Sequence, residues 1–166
     1  MLTDLILPIA LSMATLFCSL VAGFLFAFVL VVMPGIQRLN DREFIRAFQV
    51  IDGIIQNNQP IFVLVWVGSV VFLIASAVLG IGQLNEFVPL LIICALVYIF
   101  GVQLPTFMIN VPLNNKLQTW NVINMNETTL KTARLNFEIP WNRWNTIRTF
   151  FACLTSTLLI ILLLEI

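Results

Sequence analysis

With 166 residues the chain has room for one domain, taken here as 1–166. Its side chains are 60% apolar and only 10% charged, against about a half and a quarter in soluble domains, which excludes an ordinary water-soluble fold. The net charge is zero, so there is no electrostatic case for nucleic acid as a partner.

Charged residues are absent between Asp4 and Arg38, between Asp52 and Glu86, and between Glu86 and Lys116. Each gap exceeds the roughly 20 residues a helix needs to cross the hydrocarbon core. The first spanning helix is expected at about 5–33, stopping at Met33-Pro34-Gly35. It has no basic residue before it and is too long for a signal sequence, so it reads as a retained helix. Ser12, Thr15, Ser19 and Gly23 recur on one side of it as a stripe of small residues, expected to face a neighbouring helix.

An amphipathic stretch follows at about 41–56. Asn40 and Glu43 have the spacing of a capping box, and Phe44, Phe48, Ile51 and Ile55 share a face. This predicts a helix lying along the membrane interface or packed on the bundle. The second span is expected at about 61–81, with Ser69, Ser76 and Gly80 as small positions, and a turn from Gly82 to Glu86 leads to a third at about 87–109. A polar region then runs to Pro140, which is read as opening the fourth span at about 141–164. The fold class is therefore an all-α membrane protein, a four-transmembrane-helix bundle with an interfacial helix between helices one and two.

All eight Lys and Arg residues fall in the two long connections, three in the first and five between helix three and the start of helix four. The positive-inside rule places both connections in the cytoplasm and both termini outside. The Asn126-Glu127-Thr128 sequon would then face the cytoplasm, away from glycosylation. Residues 32–39 and 110–117 share a Pro, a basic residue four later and the Leu after it, a faint hint of two parallel halves.

Cys18, Cys94 and Cys153 sit in three different apolar segments and read as core residues, and there is no histidine. The commonest metal ligand and general base is thus missing, and neither a metal site nor a cofactor is expected. Polar residues gather at the basic end of the helices. Gln103, Thr106, Asn110 and Asn114 form one face of helix three unless Pro112 turns the chain first. Trp141, Asn145, Arg148, Ala152 and Thr155 form one face of helix four, and Asn57 and Asn58 lie near the start of helix two. Amides and a guanidinium at one depth suit a ligand carrying oxygen on a ring. Other duties are open: Trp120, Trp141 and Trp144 can anchor at the interface, Arg148 can hold a lipid phosphate, and the asparagines can satisfy backbone near Pro112.

Phe24-Leu25-Phe26-Ala27-Phe28 leading to Val32-Met33-Pro34-Gly35, then Asn110-Val111-Pro112-Leu113-Asn114, then Trp141-x-x-Trp144-Asn145-x-x-Arg148-Thr149, occur in an order that resembles the anthrone oxygenase-like family. The resemblance implies a small four-helix membrane protein and, in some members, oxidation of polyketide anthrones by molecular oxygen without an evident metal or flavin. It carries no agreed catalytic set. Asn110, Asn114, Trp144, Asn145 and Arg148 are its matching candidate positions, and the spacing argument adds Gln103 and Asn57. No general base stands out, since neither Asp52 nor Glu43 has a compelling place. The expected partners are membrane lipids and a hydrophobic ring ligand or quinone. The alternative reading is a non-catalytic lipid- or quinone-binding subunit of a larger membrane complex. A transporter is disfavoured, because mid-membrane positions hold only Ser, Thr, Cys and Gly.

Overall fold

The computed structural model describes residues 2–82 and 86–165, and the turn expected at Gly82–Glu86 lies outside the described residues at 83–85. Every regular element among the described residues is helical. In chain order they are α1 (Leu2–Ala27), a π-turn (Phe28–Val32), α2 (Met33–Ile36), α3 (Asp41–Gln56), α4 (Pro60–Gly82), α5 (Val88–Tyr98), two more π-turns (Ile99–Gln103 and Thr106–Asn110), α6 (Val111–Gln118) and α7 (Glu127–Glu165). Four continuous helices are long and apolar enough to span a membrane: Leu5–Ile36, Pro60–Gly82, Val88–Gln118 and Glu127–Glu165. The chain is a multi-pass membrane protein.

Three helix ends differ from the sequence expectation for one reason. Pro34 and Pro112 do not stop their helices, which run on to Ile36 and Gln118, and Pro140 lies inside α7 rather than at its start. A proline ring collides with the carbonyl four residues earlier and leaves that carbonyl without a donor. In this chain Pro34, Pro105 and Pro112 each follow a π-turn by two residues. The extra residue of a π-turn widens the helix where the offending carbonyl sits, and the helix survives. Pro8 and Pro140 sit within α-helix without such a turn, so proline permits the π-turn but does not dictate it. The two similar segments noted in the sequence share this geometry, a π-turn closed by a proline. The likeness stops there, because the counterpart of α3 is fused into the continuous α7.

The bundle has two storeys. In the first, α1 packs against α4 and α7, and α5 against α4 and α7, around Leu11, Cys18, Leu25, Leu73, Leu91, Tyr98 and Leu159. The α1 stripe that packs is Leu11, Ala14, Cys18, Val21 and Leu25, all buried, whereas Ser12 and Gly23 are exposed. Of the small-residue stripe expected on α1, Thr15 is buried, its hydroxyl donating to the Leu11 carbonyl, and Ser19 is half-buried, so only the two ends of the stripe face outward. Bulkier side chains win the interface because α4 supplies the small partners: Gly68 lies so near the Phe17 ring that a Cβ there would sit 2.6 Å from it. Ser69 and Ser76 are buried, and each hydroxyl donates to a carbonyl of its own helix. Outward, large apolar side chains such as Val31, Phe107 and Leu164 are exposed, as a lipid-facing surface requires.

The second storey is a cap at the basic end. α3 lies on α6 and the first half of α7, burying Phe44, Ile45 and Phe48 against Leu117, Leu130, Phe137 and Trp141. Asn40 caps α3 as expected, its Oδ1 accepting from the Glu43 N–H at 2.9 Å. Two arginines staple the cap. Arg134 donates to Asp41 and Glu138 and to the carbonyls of Leu39 and Gln37, and its guanidinium lies 4.3 Å over the Phe44 ring. Arg42 donates to the carbonyls of Val122 and Met125 and pairs with Glu127.

Candidate functional site

Where the storeys meet, α1, α3, α4, the third spanning helix and α7 line a partly open cavity of about 170 Å³. Its walls are aromatic. Phe28 and Phe48 pack on Trp141 with ring centroids 5.6 and 5.2 Å away, and Phe62 stacks on Trp66 at 5.4 Å. Such walls favour a flat apolar ring. The cavity's polar groups come from three elements, and two of those groups are charged.

Arg148 stands on α7, buried to 4% exposure. Its Nη1 donates to Thr106 Oγ1 and its Nη2 to Asn145 Oδ1, each at 2.9 Å, while Nε has no partner. The guanidinium lies 5.9 Å over the Trp141 ring. Asn145 is itself tied down, donating to the Leu25 carbonyl at 3.3 Å. Asn110, at the end of the last π-turn, donates to the Trp141 carbonyl at 3.3 Å, and its buried Oδ1 has no partner. The cavity wall thus includes residues carrying one orphaned donor, Arg148 Nε, and one orphaned acceptor, Asn110 Oδ1. Buried polar atoms left in this way are costly unless something meets them.

Asp52 supplies the second charge. It lies on α3 at 3% exposure and accepts from three side-chain amides: Gln56 and Asn114 at 2.7 Å and Gln118 at 2.9 Å. Asn114 links the two sides of the cavity, since its Oδ1 accepts from Trp141 Nε1 at 2.8 Å. Among the described residues no ion pair joins Asp52 to Arg148. A buried carboxylate and a buried guanidinium therefore line one apolar cavity without neutralising each other by contact, an arrangement that costs stability in an unliganded core.

Five of the candidate residues converge here. Asn110, Asn114, Asn145 and Arg148 line the cavity, and Gln103 reaches it through Trp66, whose Nε1 donates to Gln103 Oε1 at 2.9 Å. Asn57 does not: it ends α3 and is exposed. Trp144 is half-buried and absent from the lining, while Trp141, read as a possible interface anchor, is buried at the cavity wall. The register explains the exchange, for Trp141, Asn145 and Arg148 follow one inward face and Trp144 stands beside it.

Asp52 is the residue the sequence reading set aside. It stands four residues after Phe48 and eight after Phe44, on the apolar face of an amphipathic helix. A carboxylate at that register was the available signal. Among the described residues, no group of three His, Cys, Asp or Glu side chains is placed to hold a metal ion.

No curated protein and no solved structure matches the chain significantly. A family described as anthrone oxygenase does match, over residues 54–158, a stretch that holds the cavity residues of α4, the third spanning helix and α7 and begins two residues after Asp52. The chain belongs to the anthrone oxygenase family.

Proposed function

We propose that the cavity binds a flat phenolic or anthrone-like ring and oxidises it with molecular oxygen, Asp52 accepting a proton and Arg148 holding the oxygen on which charge develops. The observation that carries this reading is the pair of buried, unjoined opposite charges on one aromatic-walled cavity. An anthrone is acidic at the methylene opposite its carbonyl. Removal of one methylene proton by Asp52 sends the electron pair to the carbonyl oxygen, and the enolate meets the Arg148 guanidinium, which has donor capacity left unused. The enolate carbon then reduces oxygen and forms a carbon–oxygen bond, giving a hydroperoxide. Loss of water, with the second methylene proton leaving and the oxygen–oxygen bond breaking, yields the second carbonyl. One oxygen atom ends in the quinone and one in water, so the four electrons taken from the methylene balance those accepted by oxygen.

The surrounding groups suit this sequence. Thr106 and Asn145 fix the guanidinium, and three amides fix the carboxylate, so neither must reorganise as charge moves. The aromatic walls exclude water from the enolate. The same reading places the cap and its basic connections in the cytoplasm, where all eight basic residues lie outside the apolar runs or at their margin.

Purified protein in lipid nanodiscs, given an anthrone under oxygen, is expected to form anthraquinone with matching oxygen uptake. Asp52→Asn should lower kcat by about 100-fold, the usual worth of a positioned proton acceptor. Arg148→Gln should lower it about as much, the scale for losing one charge-stabilising donor. Full turnover in both variants rejects the assignment. Tight quinone binding with no turnover in the wild-type protein favours a binding subunit instead.

A further inference from the structure

The cavity has an apolar neighbour that the ring reaction does not use. A groove of about 480 Å³ lies between α3, α1 and the start of α4, walled by Val50, Ile51 and Ile54 on its α3 side. It shares Phe24, Ile55 and Phe62 with the cavity, so these three residues form the partition between the two spaces. Phe62 sits at the centre of that partition, edge-on to Phe24 at 5.2 Å and stacked on Trp66. The groove has one polar lining residue, Gln59, and its Oε1 already accepts from the Phe62 N–H at the start of α4.

We infer that the substrate is a ring carrying an aliphatic tail, with the ring in the cavity and the tail passing Phe62 into this groove. The inference rests on the ring-binding reading and narrows its substrate class. Three observations point to a tail rather than to a second ring or a polar group. Apart from Gln59, whose Oε1 is already engaged, the groove is lined by aliphatic side chains, with no aromatic residue beyond the partition itself. Val50 and Ile54 are 65% and 61% exposed on an amphipathic helix whose opposite face is buried, so the groove opens outward along an apolar surface of the kind that lies on lipid. The two spaces abut across the single layer formed by Phe24, Ile55 and Phe62, so a turn of the Phe62 ring lets one molecule occupy both. A compound with such a tail resides in the membrane, and it reaches the ring site sideways without crossing water.

The test uses two probes with the same head: ortho-hydroxyphenyl methyl ketone and ortho-hydroxyphenyl undecyl ketone. Each is titrated into the full chain in nanodiscs, followed by quenching of tryptophan emission and corrected against empty nanodiscs. Val50 and Ile54 are exposed, so the double substitution Val50→Phe/Ile54→Phe fills the groove without disturbing the core. The undecyl ketone should bind the wild-type protein more tightly than the methyl ketone, and the double variant should remove about tenfold of that affinity while leaving the methyl ketone unchanged. Arg148→Gln should weaken both probes alike. If groove filling leaves the undecyl ketone unaffected, or if the tail adds no affinity, the tail assignment is overturned while the ring site stands, the groove then holding bilayer lipid. If neither ketone binds the wild-type protein, the ring site fails and the tail assignment fails with it.

Discussion

Asp52 and Arg148 were not equally visible before folding. Arg148 follows Trp141 and Asn145 at helical spacing on an otherwise apolar face, and a lone guanidinium in such a run announces a partner or a function. Asp52 sits among Arg42, Glu43 and Arg46, and a carboxylate near other charges looks solvated. Only the register with Phe44 and Phe48 separates it from them, and its burial depends on amides 62 and 66 residues away. No local pattern reports so distant a contact. Trp141 was legible as a member of the Asn145–Arg148 face, but anchoring stood beside that reading because tryptophans gather at membrane interfaces. Its indole N–H donates to Asn114, which in turn donates to Asp52. Trp141→Phe keeps the ring packing on Phe28 and Phe48 but breaks that chain. The expected cost is about 1 kcal/mol of stability, read from thermal unfolding, with several-fold weaker ring binding. Unchanged binding would separate Trp141 from the orientation of Asp52.

At the scale of elements, the four spans were legible from charge gaps and apolar length and α3 from its capping box and apolar face, whereas the polar helical stretches at 111–118 and 127–140, and with them most helix ends, were not. The ends were misread because proline was taken as a boundary, a stop at Pro34 and Pro112 and a start at Pro140. A widened turn before it lets the helix continue, and nothing in the flanking residues distinguishes Pro112, which follows a π-turn, from Pro140, which does not. Those turns matter to the site. Phe28, Thr106 and Asn110 belong to π-turns and line the cavity, in keeping with the frequent occurrence of such turns at functional sites. The turn at Ile99–Gln103 also brings the third spanning helix close to α7: a Cβ on Gly101 would lie 2.5 Å from Phe151 Cγ. Gly101→Val must push these helices apart. It is expected to cost about 1–3 kcal/mol, typical of overpacking, seen as a lowered unfolding temperature in detergent. An unchanged temperature would show that Phe151 yields freely.

For the whole molecule, the two storeys divide the work. The lower bundle buries Leu11, Tyr98 and Leu159 and keeps its outer surface apolar, while the cap, held by Arg42 and Arg134, roofs the cavity and delivers Asp52 to it. Composition announced the bundle, because uncharged apolar runs of more than roughly 20 residues satisfy their backbone in lipid as helices. The roof was less legible: α3 was readable as amphipathic, but whether it would lie on lipid or on protein depended on Phe137 and Trp141 almost 90 residues later. The cavity exists because of that choice. The central claim is that it seats a ring between its aromatic walls with an oxygen on Arg148. A density map of the protein in nanodiscs with a bound anthraquinone tests this most directly. The account predicts a flat ring against Trp141 with a carbonyl oxygen within hydrogen-bonding distance of the Arg148 guanidinium, and a ring seated on the outer lipid-facing surface with the cavity closed would contradict it.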